Sequence, residues 1–316
     1  MKIIDTHCDA LLKLQSDSRY SRGFMDEHSP LNFLDAKEID TNYRRLREGD
    51  VQVQFFAIFI SPKVPDNEKW QHALEQVDAF YNEVLTQENM VHIKNLKEVK
   101  QLKPHETGAV LTLEGSDAFG NDLMKLRTLI RLGVLSVGLV WNNANLVADG
   151  AGETRGAGLS NFGAEVIEVC NDNDVLIDVS HLNIPGFNDI IDKAARVFAS
   201  HSNARGIFDH PRNLTDEQIK KIIDRNGMVN IVFCPMFINE GALEIDDLFP
   251  HIDRIIKLGG ADHIGIGSDF DGINTYVNGL RHAGEFQNLV NRLQERYGTE
   301  FTEKMTHRNF IDIFCE

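Results

Sequence analysis

Near the start of the chain His7 and Asp9 stand two residues apart. Alternate side chains of an extended segment share one face, so an imidazole and a carboxylate can be aimed at one point. Both are ligands that Zn²⁺ and similar divalent ions take, and catalytic sites of this kind keep a position open for water. Cys8, between them, should face the other way as a small packing residue. Glu114 closes the apolar stretch Ala-Val-Leu-Thr-Leu. A buried carboxylate there needs a partner. A bridge between two metals roughly 3.5–4 Å apart would supply one. His181 and His201 then offer neutral nitrogens to the second ion. Asp269 and Asp271 lie in Gly-Ile-Gly-Ser-Asp-Phe-Asp-Gly. This is not an EF-hand, because the roughly 12-residue spacing that ends in Glu is missing. A carboxylate at Asp269 is placed to take a proton from activated water and pass it to a leaving group. For Asp271 a structural role and a direct one stand about even.

Any one histidine at such a position is more often a hydrogen-bonded structural residue; the convergence of several makes the difference. His28, His72, His92, His105 and His251 fall in polar loops or helices and are expected at the surface.

The elements that must position these groups follow from hydropathy. Apolar, β-branched runs occur at 2–5, 51–60, 109–113, 134–140, 175–179, 196–199, 228–233 and 263–267. Between them, 70–85, 123–132, 163–171, 185–195, 216–225, 245–258 and 284–296 place apolar residues at three- and four-residue intervals, as amphipathic helices do. Eight alternating units predict parallel strands with helical crossovers, a (β/α)8 TIM-like barrel of the α/β class. An open doubly wound sheet is the competing arrangement. A typical barrel takes about 250 residues, so 316 leave room for insertions, with 15–48 the expected place in a single domain spanning 1–316. In a barrel the residues after each strand face one mouth. There the candidate groups cluster, together with Trp141 and Asn142 after the run ending at Val140.

Lys and Arg total 32 against 48 Asp and Glu, a formal charge of −16. That argues against nucleic-acid or membrane-surface partners, which need a cationic face. The four cysteines form no CxxC pair, and charges interrupt the N-terminus before an apolar signal core could form, so a cytoplasmic protein with reduced thiols is expected.

Five segments carry a family resemblance: Asp5-Thr-His-Cys-Asp9, Leu113-Glu-Gly-Ser116, Ile177-Asp-Val-Ser-His181, Ser200-His-Ser202 with Arg212-Asn213, and Gly265-Ile-Gly-Ser-Asp-Phe-Asp-Gly272. In order and context they resemble the membrane (renal) dipeptidase family of zinc peptidases. The resemblance implies a metallohydrolase barrel with two Zn²⁺, other divalent metals being alternatives. His7, Asp9 and bridging Glu114 would hold one ion, and Glu114, His181 and His201 the other. It implies Asp269 as the catalytic aspartate and Arg212 as the arginine that receives the substrate's C-terminal carboxylate, a pairing the guanidinium fork suits. Where the mammalian members carry a substrate-contacting His, this chain has Trp141, a candidate pocket wall. Asn142 beside it is a candidate donor to a developing oxyanion. The mammalian secretion signal, lipid-anchored tail and disulfides are not expected here.

The activity implied is hydrolysis of short peptides, L,L-dipeptides first and L,D-dipeptides to be tried, with water bridging two zinc ions. Family members are often dimers, so a homodimer is compatible with it. Two alternatives stay open: another amidohydrolase-type barrel enzyme acting on non-peptide amides or phosphoesters, and a catalytically silent metal-binding protein.

Overall fold

A computed structural model describes residues 1–15 and 31–316. All eight apolar runs form strands, because each is buried on both faces as parallel strands under helices must be. They are β1 (Ile3–Cys8), β2 (Val51–Phe59), β4 (Thr107–Glu114), β5 (Val134–Gly138), β6 (Leu176–Asp178), β7 (Val197–Ala199), β8 (Met228–Ile231) and β9 (Ile264–Ile266). Neighbours pair in parallel in the order β2-β1-β9-β8-β7-β6-β5-β4, and β2 pairs with β4 from Val53↔Gly108 to Phe59↔Glu114, closing an eight-stranded barrel. The open-sheet alternative is thereby excluded. A ninth strand, β3 (Met90–His92), is not evident in the hydropathy. It pairs with the start of β4 on the edge whose later part pairs with β5, so three residues extend the wall without entering the ring.

The crossovers are amphipathic helices, including α4 (Leu123–Arg131), α5 (Asn161–Asp172), α7 (Asp216–Asp224) and α8 (Phe249–Lys257). Local chemistry starts several of them. In α7 Thr215 accepts from the Gln218 N–H while the Gln218 side chain accepts from the Thr215 N–H, a reciprocal capping box. Ile219 and Ile222 then face the barrel. The helical reading of 70–85 divides into α3 (Lys69–Ala79) and a π-helical turn at Phe80–Val84, and 185–195 shortens to α6 (Ile184–Ile190).

The barrel floor is apolar. Phe55 on β2 meets Phe198 on β7 across the interior with ring centroids 6.5 Å apart. The C-terminal helix α10 (Asn309–Phe314) inserts Phe310 against Phe55 at 5.4 Å and Phe314 against Phe198 at 5.9 Å.

Two surface expectations are corrected. His72 and His251 are buried at 3% and 0% exposure. His72 on α3 bonds the Gln15 amide at 3.0 Å. His251 on α8 accepts from the Ala204 N–H at 3.1 Å and donates to the Ile238 carbonyl at 3.0 Å. Polar neighbours in the chain said nothing about which helix face each histidine occupies. His105 is exposed and His92 half-buried, and His28 lies outside the described residues. So does part of the expected insertion, since 16–30 are not described. The rest of 15–48 is not peripheral: Phe33 and Ile39 are fully buried, and α2 (Tyr43–Glu48) leads into β2. Among the described residues no helix is long and apolar enough to cross a membrane.

Candidate metal centre and active site

At the C-terminal mouth of the barrel five strand ends deliver their polar groups to one point. Glu114, last residue of β4, places Oε1 2.9 Å from His181 Nε2, 3.7 Å from His201 Nε2 and 3.8 Å from His7 Nε2. His7 Nε2 also lies 3.5 Å from Asp9 Oδ2 and 3.9 Å from Asp269 Oδ1. The His7 and His201 rings stack at 3.9 Å. The ligand atoms of His7, Asp9 and Glu114 lie within 4.8 Å of one another, as do those of Glu114, His181 and His201, and of His7, His201 and Asp269.

The tautomers are set from outside. Asn142 Oδ1 sits 2.9 Å from His181 Nδ1; an amide oxygen only accepts, so Nδ1 carries the proton and Nε2 keeps its lone pair. Ser200 donates its hydroxyl proton to Asp178, so it can only accept from His201 Nδ1 at 2.7 Å, which again frees Nε2. The two Nε2 atoms are 2.9 Å apart. Two lone pairs at that distance repel unless a cation lies against them. Among the described residues His7 Nε2 and Asp9 Oδ1 have no hydrogen-bond partner although buried. The neutral imidazoles of His181 and His201, the imidazole of His7 with its unpartnered Nε2, and the carboxylates beside them are the donor set of a divalent metal, and the residues present fit one.

The electrostatics agree. Burial first, then positive Arg212 and His7, push His181 well below the ordinary histidine range. His201 is pushed down likewise, by burial and then His7. Burial opposes the charge on His7, but Glu114, Asp9 and Asp269 outweigh it and raise its pKa to about 10. Glu114 is pushed well above the usual carboxylate range by burial and then Asp9. Burial also raises Asp269, to about 7, with Asp9 adding and His7 and Arg212 opposing. Three carboxylates are thus crowded where positive charge is needed.

Backbone strain marks the same place. His181 and Asp269 adopt φ of 69° and 63°, the left-handed region that non-glycine residues seldom occupy. At Gly272 any side chain would displace the Asp9 and Asp269 carboxylates, since a Cβ there would lie within 2.6 Å of their oxygens.

The centre opens into a cavity of about 270 Å³. Phe59 and Trp141, edge-on at 5.3 Å, form one wall, and Met236, Phe237 and Ile273 another. Trp141 therefore stands where a pocket wall was expected. Asn142 also lines the cavity, but its oxygen is engaged in orienting His181, a role the sequence reading did not assign. Arg212 lies behind Phe237, its guanidinium carbon 5.3 Å from that ring. It is buried, donates to the His201 carbonyl at 3.2 Å, and its Nε has no partner among the described residues. Cys8 is fully buried, as expected of a packing residue.

Two carboxylates escaped the sequence reading. Asp178 accepts from the Ser180 and Ser200 N–H groups at 2.9 Å each and from the Ser200 hydroxyl, setting the loop that carries His201. Asp5 accepts from the Ser268 N–H at 2.8 Å, its hydroxyl at 2.7 Å and the Gln54 amide at 2.9 Å, joining β1 to the loop bearing Asp269. Each sits in an otherwise apolar run, so the burial argument that singled out Glu114 could have found both.

A family model described as membrane dipeptidase, peptidase family M19, matches residues 1–316. An uncharacterized dipeptidase of Schizosaccharomyces pombe is 30% identical over 318 aligned residues, 93% of this chain and 75% of that protein. A second from the same yeast is 30% identical over 297 residues, 87% and 72% of the two chains. A metallopeptidase from Rhodobacter sphaeroides, solved with a phosphinate mimic of the dipeptide L-Ala-D-Ala, has the same fold with a TM-score of 0.86 at 24% identity, covering 99% of this chain and 98% of that one.

Proposed function

The chain belongs to the membrane dipeptidase family, and from that premise we propose that this metal-dependent hydrolase cleaves dipeptides at a dinuclear zinc centre held by His7, Asp9, Glu114, His181 and His201. The observation that carries the metal reading is the facing pair of unprotonated Nε2 atoms of His181 and His201, 2.9 Å apart beside Glu114. Bound divalent ions would supply Lewis acidity and lower the pKa of water toward neutrality.

The chain's own residues do the rest. Glu114, central to three imidazoles, is the residue that would be shared by both ions. Asn142 and Ser200 keep the two imidazoles in the ligating tautomer. Asp269 takes a proton from the attacking water and delivers it to the departing amine. Without ions bound, burial raises its pKa to about 7; its place at the mouth is what suits it to pass a proton. Arg212, buried with an unpaired Nε, receives the substrate's terminal carboxylate. Among the described residues Arg212, behind Phe237, is the cation at hand for the substrate; no lysine or other arginine lines the cavity, and its aromatic sides favour uncharged, apolar side chains. A cavity of about 270 Å³ suits a very short peptide. Because the Rhodobacter sphaeroides protein was solved with a mimic of L-Ala-D-Ala, L,D-dipeptides join L,L-dipeptides as substrates to try. We read residues 1–316 as one barrel unit carrying this site.

The test is to strip the purified protein of metal, reload it with zinc, and assay L,L- and L,D-dipeptides beside cyclic amides and phosphoesters. Metal-dependent turnover of dipeptides is expected. Activity confined to the amides or phosphoesters would refute the substrate class, and metal uptake without turnover of any substrate would make it a silent binding protein.

A further inference from the structure

Asp271 follows Asp269 by two residues, and its carboxylate is wholly buried. Four donors converge on it. Lys13 Nζ at 2.8 Å and the Asp40 N–H at 2.7 Å reach Oδ1; the Thr41 N–H at 3.1 Å and the Thr41 hydroxyl at 2.6 Å reach Oδ2. In return the Asp271 N–H donates to Asp40 Oδ2 at 3.2 Å, an oxygen that also accepts from the Tyr276 hydroxyl at 3.0 Å. Lys13 belongs to α1 (Ala10–Leu14), which begins directly after Asp9, and it also donates to the Glu38 carbonyl at 2.7 Å. One carboxylate therefore ties together the helix that follows Asp9, segment 38–41, and the turn that carries Asp269.

That turn needs such a tie. Asp269 and Asp271 both hold left-handed backbone, with φ of 63° and 69°, a conformation that persists in non-glycine residues where surrounding contacts over-determine it. The turn's backbone is pinned to β1 by the Asp269 N–H on the His7 carbonyl at 3.2 Å and the Asp9 N–H on the Phe270 carbonyl at 3.0 Å. Directly after Asp271, Gly272 lies against the carboxylates of Asp9 and Asp269. A shift of the turn moves Asp269.

We propose that Asp271 is a positioning residue for the reaction: by clamping α1 and segment 38–41 to the 269–272 turn, it holds Asp269 at its working position. The inference rests on the reading of Asp269 as the proton-carrying group.

The test uses the metal-loaded full chain. Asp271→Asn keeps the size but presents an amide to a nest of donors. It should lower kcat about tenfold or more while KM stays within about threefold and metal content is unchanged. Added to Asp269→Asn it should cost no further activity, since a residue acting through Asp269 has nothing left to position. A lowered melting temperature with kcat unchanged would overturn the proposal, as would losses that multiply in the double variant. Should Asp271→Asn fail to fold, Thr41→Val removes one donor and is expected to lower kcat about twofold to fivefold; an unchanged kcat there overturns the clamp equally. Full kcat in Asp269→Asn alone would sink the proton-transfer reading, and this inference with it, whatever Asp271→Asn does.

Discussion

At the N-terminal end of the barrel Phe55, Phe198, Phe310 and Phe314 meet ring to ring in a dry floor, whereas at the C-terminal end imidazoles and carboxylates crowd within a few ångströms of one another. The floor's rings are buried against one another. The mouth holds left-handed backbone at His181, Asp269 and Asp271, and orphaned atoms on His7, Asp9 and Arg212. Such features cost stability wherever they occur, and they persist here because the floor and the helical shell over-determine the fold. The difference teaches that the two ends can be perturbed separately, one changing stability and the other chemistry.

Glu114→Ala gives the sharpest separation. It removes the group common to all three imidazoles, so metal content by elemental analysis should fall and turnover should become undetectable while the protein stays folded; full two-metal occupancy would refute bridging. Next, Asp269→Asn should keep its metal and lose roughly 10²–10⁴-fold in kcat, read by steady-state assay on reloaded enzyme. The floor should answer in the opposite way. Phe198→Ala opens a cavity and should cost about 3–5 kcal/mol in denaturant unfolding, with kcat at a temperature where it remains folded close to that of the parent. A large kcat loss there would show that the two ends are coupled. Asn142→Ala releases the His181 tautomer and should weaken metal binding about 10–100-fold, seen by competition with a chelator.

The smallest effect expected is a slope. In the ion-free site His7 has a pKa of about 10, so near neutral pH it carries a proton that a metal must displace. Raising the pH toward that value removes the competitor. Affinity should therefore rise about tenfold per pH unit for each proton released, and metal titrations in buffers of different ionisation enthalpy would count the protons. A flat response would mean that His7 binds no ion.

Much of the barrel was legible because a strand buried on both faces has to be a continuous apolar run. Met90–His92 was not, since three residues carry no periodicity. Glu114, His7, Asp9, His181, His201 and Asp269 could be picked out as strand-end polar groups facing one mouth, and Asp178 and Asp5 could have been by the same argument. His72 and His251 went wrong because a helix has a buried face and an exposed one, and polar sequence neighbours sit on either. Asn142 was legible as a mouth residue. Its role was not, because the partner that takes its oxygen is 39 residues away.

The order of residues decided the strands, the helices, and the chemical kinds present after each strand, since those are matters of local burial and spacing. It also decided that glycine stands at 272 and that aspartates stand at 269 and 271. Folding decided the rest. The closure of β2 on β4, the facing Nε2 lone pairs of His181 and His201, the place of Arg212 behind Phe237 and the four donors around Asp271 each join residues far apart in the chain. No local pattern encodes a distance between two such residues; it is set when the barrel closes and the strand ends are brought around one axis.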